Sequence, residues 1–190
     1  MSRLRIFDET RGDEPLATHA DHADIARELA AIGVRFERWQ ANAPLAPGAS
    51  QDEVIAAYRS DIDRLMREQG YRAVDVVSLA PDHPDRAALR RKFLSEHRHS
   101  EDEVRFFVAG AGQFTLHVDA RVYEVLCEAG DLISVPDGAR HWFDMSESPY
   151  FVAIRLFSNP DGWVAQFTGD DIATRFPLMT PHASAARART

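Results

Sequence analysis

Beyond residue 97 the chain is a succession of short runs rich in β-branched and aromatic residues: VRFFVA, QFTLHVDA, RVYEVLCEA, LISVP and YFVAIRLF. The turn signals GAG, DA, AGD and PDGA separate them at short intervals. Such spacing predicts an antiparallel sandwich or barrel. The first half reads mainly helical. From Asp21 to Ile32, the residues Ile25, Leu29 and Ile32 fall at helical spacing, with Gly33 available to end the helix. VRFERW (34–39) then alternates over a strand's length. Ser50 and Glu53 form an S-x-x-E capping box, in which each side chain satisfies an orphan backbone donor of the first turn. Val54, Tyr58, Ile62, Leu65 and Met66 stripe one face of the helix that follows, as far as Gly70. VDVVSL (74–79) predicts a strand, and Pro84 sits where a short helix towards Phe93 would begin. DGWVAQFTGDDIATRFP predicts one or two short helices covering one end.

No internal repeat and no linker-like shift in composition divides the chain. One mainly β domain is expected over 1–180: a helix-rich part (1–92), the barrel (93–157) and a helical cover (158–180). Residues 181–190 read as a mobile tail. A length of 190 residues is ample for one buried core. The formal charge of −8 argues against nucleic acid, whose binders need a basic stripe. Cys127 is the single cysteine, which excludes an internal disulfide framework and a Cys-rich zinc ribbon. The first residues hold no apolar run suited to a signal peptide. No segment approaches the ~20 apolar residues of a membrane span. A soluble cytoplasmic protein, a monomer or small homo-oligomer, is therefore expected. Of its 22 lysine and arginine residues only Lys92 is lysine, which reads as coding bias.

The chemistry is concentrated in EHRHSEDEVRFFVAG. His97 and His99 are two apart, so a strand would project both imidazoles from one face. After a polar turn, Glu103 begins an apolar run, and a hairpin there would return it beside the histidines. Farther on, GDLISVPDGARHWFDM delivers His141 at the start of another strand. Taken singly, each has an ordinary reading: a hydrogen-bonded His pair, a solvated edge glutamate, a turn histidine. Together they offer three imidazoles and one carboxylate, a mixed N/O set suited to a first-row divalent metal.

The strings H-x-H-x3-E-x6-G and G-x5-P-x-G-x2-H resemble the paired motifs of the cupin superfamily, a double-stranded β-helix barrel. The resemblance implies that His97, His99, Glu103 and His141 ligate one metal inside it. The second motif often ends in Asn, where this chain has Met145. KFLSEHRHSEDEVRFFVAGAGQFTLHV, VYEVLCEAGDLISVPDGARHWFDM and IRLFSNPDGWVAQFTG resemble the acireductone dioxygenase family of methionine salvage, over about Lys92 to Gly169. That likeness implies an enzyme holding Fe(II) or Ni(II) and taking a small-molecule acireductone and O2. Iron-loaded members yield formate and 2-keto-4-methylthiobutyrate; nickel-loaded members yield formate, carbon monoxide and 3-methylthiopropionate. One carboxylate leaves a divalent centre with net positive charge, which suits an anionic enediolate.

Arg105 lies two residues beyond Glu103 and shares its strand face. The resemblance makes it a cation for the substrate anion. Its other reading is a surface arginine paired with Glu101, Asp102 or Asp144. Arg155, inside VAIRLF, is a second candidate and would need a carboxylate or ligand partner if buried. Phe93, Phe143 and Trp163 match family positions that wall the site and receive the methylthio tail, and each would equally serve as core. His117 lies outside both motifs. The alternatives are another cupin dioxygenase or isomerase, and a non-catalytic cupin that binds metal or small ligands.

Overall fold

A computed structural model describes residues 1–43, 45–46, 48–159 and 164–180. The expected tail at 181–190 and Trp163 lie outside the described residues. The elements run β1 (Arg3–Asp8), β2 (Ala17–His19), α1 (His22–Ala30), β3 (Arg35–Arg38), α2 (Gln51–Ala57), α3 (Arg59–Gln69), β4 (Ala73–Leu79) and α4 (Arg86–Phe93). Then follow β5 (His97–Arg98), β6 (Glu103–Val118), β7 (Arg121–Glu128), β8 (Asp131–Val135), β9 (Arg140–Asp144), β10 (Phe151–Phe157), β11 (Gln166–Phe167) and a 3₁₀ turn at Ile172–Arg175.

The strand β6 builds the barrel because it belongs to two sheets. Its first half pairs with β8 and β10, its second half with β7 and β9, all antiparallel. One sheet has the order β11-β5-β9-β6-β7-β1-β2, and the other extends from β6 through β10 to β4 and through β8 to β3. GAG, expected as a turn, is instead the bend inside β6. Gly110 has φ +70°, and a Cβ there would meet the Tyr150 carbonyl oxygen at 1.8 Å. A Cβ on Gly112 would meet the Phe143 ring at 2.3 Å. Residues without side chains let the strand pass between sheets where a turn signal suggested that it stops.

Both faces of β6 are buried, and its period of two sorts them. Val104, Phe106 and Val108 face outward to Val54, Tyr58, Ile62 and Leu65 of the helices. Phe107 and Phe114 face inward, with Phe143, Phe151 and Ile133, into the barrel core. Glu103 and Arg105 share the inward face, so the strand that builds the core also sends two charges into it.

The capping box at Ser50 is present, the Glu53 carboxylate accepting from Ser50 N at 2.7 Å and the Ser50 hydroxyl accepting from Glu53 N at 3.3 Å. The single helix expected after it is two, broken at Tyr58 (φ −113°, ψ 18°). Tyr58 is held there by an edge-on contact with Phe106 and by the Ala43 N–H that its hydroxyl accepts. The first half also carries more strand than expected. β1 was hidden by its arginines, which find a partner far along the chain: Arg5 forks onto Glu124 of β7 at 2.7 Å. Where a helical cover is expected beyond residue 158, the described residues form β11 and the one 3₁₀ turn.

Replacing Gly110 with alanine adds a backbone overlap to a left-handed φ. We expect it to lower stability by about 3 kcal/mol. Alanine at the exposed Gly70, also at positive φ but with nothing within 4 Å of its Cβ, is expected to cost about 1 kcal/mol. Denaturant unfolding of the two variants measures the difference.

Candidate metal centre

Three segments converge at one end of the barrel. His97 of β5 stands opposite His141 of β9, which stands opposite Leu116 of β6. Glu103 opens β6. His99 follows β5, its carbonyl accepting from Gly138 N at 3.0 Å, so the PDGA turn holds the loop that carries it. The ring centroids of His97, His99 and His141 lie 4.5–5.3 Å apart. One donor atom from each histidine and one from Glu103 all lie within 4.8 Å of one another, and all four residues are buried.

Backbone carbonyls fix two of the rings. His97 Nδ1–H donates to Ser95 O at 2.7 Å, and His141 Nδ1–H to Ala139 O at 2.8 Å. Each ring therefore turns Nε2 towards the shared point. The Nε2 of His141 faces Glu103 Oε2 at 2.8 Å. With Nδ1 already donating, a ring nitrogen and a carboxylate oxygen face each other as two lone pairs unless a cation, proton or metal, lies between them. Bonds of about 2.1 Å to one ion place donors about 3–4 Å apart, close to the spacing of a cluster whose donors all lie within 4.8 Å of one another. The residues present suit a divalent metal.

The electrostatics agree. Burial, reinforced by His141 nearby, lowers the His97 pKa to about 4, keeping the ring neutral and able to ligate. Burial alone would raise that of Glu103. The Arg105 guanidinium, with hydrogen bonds from His141 and His99, outweighs it and holds the carboxyl well below its usual range. Arg105 Nη2 lies 2.7 Å from Glu103 Oε1, and its guanidinium packs over Phe143 and Phe114 at 4.5 and 5.1 Å from the ring centroids.

The surface pairings open to Arg105 in the sequence are taken up elsewhere. Asp144 is forked by Arg90 at 2.7 and 3.0 Å, Glu101 accepts from Asn159 N, and Asp102 accepts from Asp137 N. Arg155 stands directly across from Arg105 in the β10–β6 register and forks onto Asp75 of β4, with Nε at 2.7 Å.

Phe93, Arg105 and Arg155, together with His97 and His99, line a cavity of about 490 Å³. Phe143, 1 % exposed, lies under Arg105 in the core and meets Phe93 edge to face at 6.3 Å. Sequence reasoning missed the other wall. Val164, Ala165 and Phe167 come back from the C-terminal segment to line the same cavity.

It also missed a buried clasp behind His97. His117 Nδ1 lies 2.8 Å from Glu96 Oε2 and its Nε2 3.0 Å from Glu9 Oε2. Glu96 Oε1 accepts from the Thr168 hydroxyl at 2.8 Å. Both bonds hold the residue before His97, one from β6 and one from the residue that follows β11. Glu96 gave no signal beyond its place beside the H-x-H string.

The model of the ARD/ARD' family matches residues 3–165. The chain is 66 % identical over 181 residues to an acireductone dioxygenase of Stenotrophomonas maltophilia (strain R551-3), covering 95 % of this chain and 98 % of that relative. It is 67 % identical over 181 residues to one of Pseudomonas aeruginosa (strain UCBPP-PA14), covering 94 % and 99 %. Among solved structures it is similar to acireductone dioxygenase from Bacillus anthracis with a cadmium ion in its active centre. There the TM-score is 0.76 at 32 % identity, over 88 % of this chain and 98 % of that one.

His117→Leu leaves the buried Glu96 carboxylate without its imidazole partner. A loss of about 3 kcal/mol is expected in denaturant unfolding. Substituting the half-buried His83 in the same way, where the ring accepts from Asp85 N in a surface turn, is expected to change stability by less than about 1 kcal/mol.

Proposed function

The chain belongs to the ARD/ARD' family, and on that footing we propose that it cleaves 1,2-dihydroxy-3-keto-5-methylthiopentene with O2 in methionine salvage, using a metal held by His97, His99, Glu103 and His141. One observation carries the reading: three imidazoles and an ionised carboxylate converge beside a cavity that His97 and His99 of the cluster line together with the Arg105 guanidinium. No helix among the described residues is long and apolar enough to cross a membrane. We place the reaction in the cytoplasm, where methionine salvage would supply its substrate.

A divalent cation bound there supplies Lewis acidity, which favours the ionised enediol and activates it towards O2. The protein's own groups do the rest. Neutral His97 and ionised Glu103 present lone pairs. Glu103 contributes the one anionic ligand, so the loaded centre stays positive towards an anionic substrate. Arg105 binds the substrate oxyanion from the cavity wall. The ring of Phe143 on one side and the Glu103 carboxylate on the other fix its position, so little rearrangement is needed when the anion arrives. Arg155, locked by Asp75, holds the adjoining wall and fixes the charge beside Arg105.

The methylthio end fits the apolar side of the cavity. Phe93 and Phe167 offer ring faces and edges to a thioether, and burial of that tail keeps water from the reacting carbons. Trp163, which the family resemblance assigns to the methylthio tail, lies outside the described residues.

Fe(II) and Ni(II) are the metals we assign, with formate and 2-keto-4-methylthiobutyrate from the iron form. Formate, carbon monoxide and 3-methylthiopropionate are assigned to the nickel form. Protein loaded with each metal in turn and given synthetic acireductone tests this by oxygen uptake, formate release and carbon monoxide detection. Turnover without oxygen uptake would point to an isomerase, and binding without turnover to a storage cupin.

His97→Ala and His141→Ala are each expected to lose bound metal and activity together. Arg105→Ala is expected to keep stoichiometric metal while kcat/KM falls about a hundredfold. Metal analysis beside kinetics separates the two outcomes, and unchanged kcat/KM in the arginine variant would remove Arg105 from the site.

A further inference from the structure

Three basic side chains line the cavity: Lys92, Arg105 and Arg155. Two of them already answer a carboxylate. Arg105 bonds Glu103, and Arg155 forks onto Asp75. Lys92 sits in the last turn of α4, exposed at the cavity rim, and forms no ion pair among the described residues. It is also the one lysine among 22 basic residues, in a chain that uses arginine everywhere else.

We propose that Lys92 is a specificity-determining residue that captures the substrate as an anion at the cavity mouth. The proposal rests on the reading above, in which the substrate is an ionised enediol. The physical need arises from the rest of the molecule. A chain of formal charge −8 repels an anion at long range. At physiological salt only charges within about 8 Å act strongly on an incoming ligand, so the local field at the mouth decides the encounter. The arginine charges inside are largely compensated by Glu103 and Asp75. The ammonium of Lys92 has no carboxylate partner among the described residues, and its flexible stem lets it follow a ligand inward as a point charge.

A cation in the last turn of a helix also complements the helix dipole, and that plainer role supplies the control. Arg91 is exposed in the same turn and does not line the cavity. Lys92→Gln and Arg91→Gln therefore remove the same charge from the same helix end.

The test compares these two variants, Lys92→Arg and the wild type, all nickel-loaded. Anaerobic titration with the acireductone gives Kd, and steady-state kinetics give kcat and kcat/KM from low to high NaCl. Lys92→Gln is expected to raise Kd and lower kcat/KM about fivefold at low salt, with kcat within twofold and a flattened salt dependence. Lys92→Arg is expected to restore most of the loss. Arg91→Gln is expected to match the wild type in all of these. Equal Kd, kcat/KM and salt slope in the two glutamine variants would overturn the proposal and leave Lys92 a helix-end charge. Wild-type protein that neither binds nor turns over the acireductone would overturn the functional reading itself, and Lys92 capture with it.

Discussion

Glu103 carries a negative charge at 2 % exposure, where a carboxylate stays ionised only among partners. Those partners come from separate places: Arg105 from its own strand, His141 from β9, and His99 from the loop after β5. The barrel is therefore constrained to bring β9 and β5 to the start of β6. A one-residue slip of β9 would turn His141 outward and bring Trp142 in. The outer face resists that slip, because Trp142 is itself buried there against Phe7, Ile172 and Phe176. Apolar packing on one side of β9 and the polar cluster on the other specify a single register.

The charges continue across the sheet. Asp75, Arg155 and Arg105 stand side by side on β4, β10 and β6. Two arginines directly opposite each other are unfavourable in isolation. Asp75 on one flank and Glu103 of the His/Glu cluster on the other each draw one guanidinium away, so each arginine keeps a carboxylate of its own.

The sequence carried the barrel and the cluster unevenly. The H-x-H string, Glu103 and the punctuated approach to His141 were legible because the ligand spacing is local and the strands alternate. Arg105 was legible for the same reason, since a two-residue offset keeps a side chain on one face. GAG misled because glycine serves a tight turn and a bend between sheets equally well, and only the presence of Tyr150 and Phe143 tells them apart. β1 and the His117–Glu96 clasp were illegible because each depends on pairing across more than twenty residues. Tyr58 interrupted a helix whose stripe read as continuous, since its constraint is a ring on a strand far away.

The order of the centre has its origin in hydrogen bonds made by groups that need no metal. Ser95 O and Ala139 O orient two imidazoles, Gly138 N–H holds the loop of His99, and His117 with Thr168 anchors Glu96. All of these are formed by folding. A ligand set assembled only on metal binding would lose side-chain and loop entropy at that moment, and its affinity would fall accordingly. Here the entropy is lost when β5, β6 and β9 pair, against the burial of Phe107, Phe114 and Phe143 beneath them. The aromatic core therefore contributes to metal affinity without touching the metal, by making the arrangement of lone pairs part of the folded state.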